Sequence, residues 1–120
     1  MPMQVFVAED DEGLCLLFQH TLRKYDLDVV VARDGQQALE MLQTMRPALI
    51  FLDVRLPLVN GVRILEYIRS APHLRDTPVV INSALQEFER LANGHEIFLL
   101  KPLLPHTIRE LVERLLQAPV

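Results

Sequence analysis

The chain has 120 residues, 50% of them hydrophobic and 23% charged, with a net charge of −4 at neutral pH. That suits a single α/β-sized domain over residues 1–120 with a core of its own, and it excludes wholesale disorder or two full domains. The lone Cys15, the lack of any Cys/His array at zinc spacing, the lack of a secretory signal and the lack of a membrane-length apolar run point to a reducing, cytoplasmic setting without membrane association. The 10 Arg and 2 Lys are scattered along the sequence, so direct nucleic-acid binding is not expected.

Five short runs rich in Val, Ile, Leu or Phe alternate with amphipathic segments. The first, Gln4 to Ala8, leads into Glu9-Asp10-Asp11-Glu12, after which Leu14, Leu17, Phe18 and Leu22 recur at helical spacing. The second, Asp28 to Ala32, precedes a helix marked by Ala38, Met41, Leu42 and Met45. The third, Ala48 to Leu52, ends in Asp53, and Leu65 and Ile68 mark the helix that follows. The fourth, Pro78 to Asn82, runs into Ser83-Ala84 and a short helix over Gln86 to Ala92. The fifth, Ile97 to Leu100, ends in Lys101-Pro102, and Ile108, Leu111, Val112 and Leu115 define the last helix. Runs apolar on both faces suit a parallel sheet covered by helices on both sides. The expected fold is therefore a doubly wound, five-stranded (βα)5 sheet.

Ligands of such sheets bind beyond the carboxyl ends of the strands, where strand order reverses. The polar residues at those ends are therefore the candidates for function. If strands one and three are neighbours, Asp53 lies beside Glu9 and Asp10, and three converging carboxylates make a hard oxygen site suited to Mg²⁺. Asp11 and Glu12 are open to a second role, capping the helix that follows. Ser83 brings a hydroxyl to the same edge, although Ser also opens helices. Lys101 is either a snorkelling strand-end lysine or a compact positive charge for a carboxylate or phosphoryl oxygen.

The stretches Val5 to Asp11, Asp53-Val54-Arg55-Leu56-Pro57-Leu58-Val59-Asn60-Gly61, Ser83-Ala84 and Lys101-Pro102 together resemble the receiver domain of two-component response regulators, which has the flavodoxin-like fold. The resemblance implies that Asp53 is the phosphoacceptor. It implies that Mg²⁺ is held by Asp10, Asp53 and the Arg55 backbone carbonyl, with Glu9 acting through water. Lys101 and Ser83 would contact the phosphoryl group, and Phe98 would be the switch aromatic, its alternative being an ordinary strand residue. Pro57, Asn60 and Gly61 would shape the loop after the acceptor, Gly61 at a positive φ or a close backbone approach. The implied partner is a sensor histidine kinase or histidine phosphotransfer protein. The downstream target or attached output domain is left open, and homodimerisation is compatible with the family.

Two departures stand out. From Ser83 to Lys101 there are 18 positions, about four fewer than such domains lead one to expect, or roughly one helical turn. The fourth helix should be short, and either mobile before phosphorylation or held by Phe88 and Leu91 against the sheet. Leu104 stands where a polar cap would open the last helix. Arg55 and Leu85, each two residues beyond a site residue, border the path of attacking water and are candidates for tuning the lifetime of the phosphorylated state. A phosphorylation-independent interaction module is the rival reading, opposed by the intact Glu9, Asp10, Asp53, Ser83 and Lys101. A turnover hydrolase would want a carboxylate two residues after the nucleophile, where Arg55 stands.

Overall fold

The computed structural model describes residues 2–93 and 95–116; Met1, Gly94 and residues 117–120, which the expected domain includes, lie outside the described residues. Five parallel strands, β1 (Met3–Ala8), β2 (Leu27–Ala32), β3 (Leu49–Asp53), β4 (Val79–Ser83) and β5 (Ile97–Leu100), form one sheet in the order β2-β1-β3-β4-β5. The helices are α1 (Glu12–Thr21), α2 (Gly35–Leu42), α3 (Gly61–Ser70) and α4 (Pro105–Leu116). Strand order reverses between β1 and β3, which opens a crevice at their carboxyl ends.

Both sheet faces are buried, which is why the strands read as unbroken apolar runs. On one face Ile50, Leu52 and Ile81 pack with Leu42, Ile64 and Leu65 of α2 and α3. On the other, Phe51 and Val80 pack with Phe18 of α1 and Ile108 and Val112 of α4, and the Phe18 and Phe51 rings lie 4.7 Å apart in a tilted arrangement. β3 and β4 each extend one residue beyond the predicted end, because the ladder continues: Val54 N donates to Asn82 O at 3.2 Å, and Lys101 N to Ser83 O at 2.8 Å. Asp53 and Ser83 are therefore strand residues held by the sheet rather than loop residues.

The segment expected as a short fourth helix is a 3₁₀ helix, Gln86–Leu91, with no side-chain cap at Leu85. Six residues form too few α-type hydrogen bonds to offset nucleation, and the tighter i to i+3 pattern takes their place. Phe88 and Leu91 are half-buried against the α2–α3 side of the core, alongside Phe98. A further tether was not foreseen from sequence. Arg69, at the end of α3, donates to both Glu96 oxygens at 2.7 and 3.2 Å and also to the Leu91 carbonyl. Asn93 N donates to the same Glu96 at 3.2 Å. Burial alone would raise the Glu96 pKa, but the bonds from Arg69 and Asn93 outweigh it and lower it. The last helix starts without a polar cap, as its sequence implied: the Leu104 carbonyl accepts from Thr107 N and Ile108 N at 3.0 and 3.2 Å.

Arg69→Ala removes the clamp and strands a carboxylate whose side chain is only 6% exposed. The expected loss is about 1–2 kcal/mol, discounted because the arginine itself is solvent-facing. Denaturant unfolding checks the loss, and amide exchange over residues 85–93 should accelerate relative to wild type.

Candidate functional site

β1 and β3 are hydrogen-bonded neighbours, with Ala8 paired to Leu52, so the residues that follow them meet at the crevice. Carboxylate oxygens of Glu9, Asp10 and Asp53 lie within 4.8 Å of one another. Glu9 and Asp53 are buried, whereas Asp10 faces solvent. Asp11 resolves its two roles in favour of the cap: its Oδ2 accepts from Leu14 N at 2.8 Å at the start of α1. Glu12 follows in the first turn of that helix.

Lys101 reaches into this cluster from the end of β5. Its Nζ lies 3.1 Å from Glu9 Oε1 and 3.3 Å from Asp53 Oδ2. Asp53 Oδ1 accepts from Arg55 N at 3.2 Å, and Glu9 Oε2 accepts from Asp11 N at 3.1 Å. Glu9 Oε1 is within ion-pair distance of the ammonium but off the hydrogen-bonding direction, so no directed bond satisfies it. A buried anionic oxygen without a directed donor, beside two further carboxylates, fits a hard cation such as Mg²⁺.

The electrostatics follow from the crowding. Burial, then the charge of Asp53, pushes Glu9 up to about 7, against the opposing pull of Lys101 and the Asp11 amide. Burial would lower the Lys101 pKa, but the charges of Glu9 and Asp53 outweigh it and raise it. Cys15 supports the same turn, its Sγ donating to Glu9 O at 3.3 Å.

The remaining candidates surround this centre. Ser83 Oγ accepts from Leu85 N at 3.0 Å, so the hydroxyl is tied to its own loop. The Arg55 side chain is exposed and Leu85 is half-buried. Phe98 is half-buried in the core beside Phe88, one face of the sheet away from the charged cluster. The loop after Asp53 is pinned at both ends. A Cβ on Gly61 would lie 2.3 Å from Asp53 O, so its requirement is the close approach and not a positive φ. Asn60 Oδ1 caps α3 by accepting from Arg63 N at 3.1 Å. The positive φ falls instead on Leu58, at 70°. An open cleft of about 420 Å³ borders Asp10 and Arg55 and is walled by Val54, Leu56, Pro57 and Phe88. Asn82, buried in β4 beside Asp53, is a polar neighbour that sequence reasoning passed over as a strand terminus.

Fold and site together define a flavodoxin-like α/β domain with a lysine-bridged acidic cluster at its switch point. The response regulator receiver domain model matches residues 5–113, and the chain belongs to that family, whose function is phosphorylation-based two-component signalling. It is 29% identical over 98% of its length to the alkaline phosphatase synthesis transcriptional regulatory protein PhoP of Bacillus subtilis, of which it spans only 50%. It is 30% identical to the polar-differentiation response regulator DivK of Brucella anthropi, covering 86% of this chain and 87% of that protein. Among solved structures, the phosphorylated cyanobacterial phytochrome response regulator RcpA superposes with a TM-score of 0.88 at 26% identity, covering 100% of both chains.

The raised Glu9 pKa has a definite sign in stability. An acid whose folded pKa lies above its unfolded value of 4.5 binds its proton more tightly in the folded state. Its favourable contribution is complete below about pH 4.5 and is lost as pH rises through about 7. In metal-free buffer, Glu9→Gln should abolish that part of the pH dependence and raise the melting temperature at pH 8 more than at pH 5, as read by thermal unfolding at the two pH values.

Proposed function

We propose that Asp53 accepts a phosphoryl group from a sensor histidine kinase or histidine phosphotransfer protein, with Mg²⁺, and that the acyl phosphate switches the domain to control a downstream target or an attached output domain. One Asp53 oxygen attacks phosphorus, the P–O bond forms as the P–N bond of phosphohistidine breaks, and the departing imidazole nitrogen takes the electron pair. The observation that carries this reading is Lys101 bridging Asp53 and Glu9 at 3.3 and 3.1 Å beside the exposed Asp10. Asp53, Asp10 and the Arg55 carbonyl would hold the cation, with Glu9 acting through water. When bound, the cation supplies positive charge where an incoming phosphoryl group would otherwise meet only carboxylates.

The chain's own residues account for the other steps. Lys101 holds Asp53 in place before transfer and follows the phosphoryl oxygens afterwards. Ser83 leaves Leu85 N and donates its hydroxyl to the new phosphate, drawing its loop inward, and Phe98 turns with that loop. Arg55 and Leu85 stand over the approach and slow water's attack on the acyl phosphate. The domain is a phosphoacceptor and not a turnover enzyme.

Incubation with a small acyl phosphate and Mg²⁺, followed by intact-mass analysis, should add one phosphoryl group that is absent in Asp53→Ala and in chelator. Arg55→Ala and Leu85→Ala should each shorten the life of the adduct. Labelling that persists in Asp53→Ala would overturn the assignment.

A further inference from the structure

One buried amide in the described core has an oxygen with no partner. Asn82 is 1% exposed, and its Oδ1 accepts no hydrogen bond. The three residues before it in β4, Val79, Val80 and Ile81, are apolar and buried. Leaving an amide oxygen unsatisfied in such a place carries a desolvation cost that a leucine of similar shape would not.

The sheet register says where this amide points. Asn82 pairs with Asp53 on β3 and with Leu99 on β5. Side chains alternate along a strand, and register partners share a face on strands about 4.8 Å apart. Phe51, Val80 and Leu99 all pack on the α1–α4 face. Asp53, Asn82 and Lys101 each follow one of these by two residues, and the ladder continues through Lys101 N, which donates to Ser83 O at 2.8 Å. All three side chains therefore leave the same face from three adjacent strands, with Asn82 in the middle. The Lys101–Asp53 contact of 3.3 Å spans β4, the strand that carries Asn82. A lysine ammonium carries three donors, and Glu9 and Asp53 are the two carboxylates it faces.

We propose that Asn82 is a positioning residue for Lys101: its Oδ1 is the neutral acceptor that steadies the ammonium as it passes from the Asp53 carboxylate to the phosphoryl oxygens. The inference rests on Asp53 being the phosphoacceptor. Once Asp53 is converted to the acyl phosphate, its carboxylate loses its charge and its hold on the lysine. A further carboxylate at position 82 would compete with the phosphoryl group for the ammonium, and an apolar side chain would leave only Glu9 to hold it. A neutral oxygen beneath the path meets both requirements, which gives a reason for an amide that the resting fold leaves unsatisfied.

A double-mutant cycle separates this from a packing role, because residues that act through one another are non-additive while independent ones add. Phosphorylation by a small acyl phosphate with Mg²⁺ is followed by intact mass for wild type, Asn82→Leu, Lys101→Met and the double variant, with Asn82→Val as a second apolar variant in case leucine overfills the site. Both apolar variants should melt at or above the wild-type temperature yet accept the phosphoryl group about ten-fold more slowly, the loss of one hydrogen bond to a charged group. In the Lys101→Met background the same replacement should cause no further slowing. Wild-type rates in the folded apolar variants, or a slowing that multiplies fully with that of Lys101→Met, would overturn the proposal while leaving the phosphoacceptor reading intact. A wild-type protein that takes no phosphoryl group at all would instead bring down that reading and the proposal together.

Discussion

Two carboxylates buried side by side repel each other in a medium that screens poorly, and the ammonium of Lys101 makes their burial tolerable. Much of the architecture follows from bringing that one ammonium to Glu9 and Asp53. The acids come from β1 and β3, adjacent only because the doubly wound order places β2 outside β1. The lysine comes from beyond β5, two strands from Asp53, and has to cross β4 to reach it. The balance is incomplete, since Glu9 keeps an oxygen without a directed bond and a pKa near 7. A site held short of neutrality in this way has a built-in affinity for further positive charge and a lysine free to change partners.

The parts that hold the cluster differ in rigidity. Asp53 and Ser83 stand on the sheet ladder, and Gly61 lies so close to Asp53 O that a side chain there would collide with it. The segment after Ser83 is lighter: a single 3₁₀ helix, two half-buried apolar side chains and the Arg69 clamp onto Glu96 and the Leu91 carbonyl. Arg69 sits at the end of α3, whose start is fixed by Gly61 and Asn60 immediately after the acceptor loop. One helix thus touches the acceptor loop at its first residue and the shortened segment at its last turn.

Sequence carried the fold because both faces of the sheet are buried, so each strand appeared as a compact apolar run with an abrupt polar end. Asp53 and Lys101 were legible for the same reason, each standing directly after such a run. The roles of Asp11 and Glu12 were harder to read, because a capping acid and a free one look alike until α1 shows that the Asp11 carboxylate meets Leu14 N. The positive φ of Leu58 carried no signal, since leucine has no preference for that region, and Gly61 drew the expectation instead. The Arg69–Glu96 clamp joins residues 27 apart in sequence, and only the tertiary fold brings them together. Asn82 was hidden by position: at the end of an apolar run, an asparagine reads as no more than the terminus of the strand.

Lys101 offsets the charge that appears when Glu9 ionises. The direct test is the stability of Lys101→Met relative to wild type, by denaturant unfolding in metal-free buffer at pH 5 and at pH 8. Glu9, with its pKa raised to about 7, is largely protonated at the lower pH and ionised at the higher. The substitution should therefore destabilise the protein clearly more at pH 8 than at pH 5. Equal losses at the two pH values, or a greater loss at pH 5, would contradict the claim that this ammonium is what allows the carboxylates to be buried together.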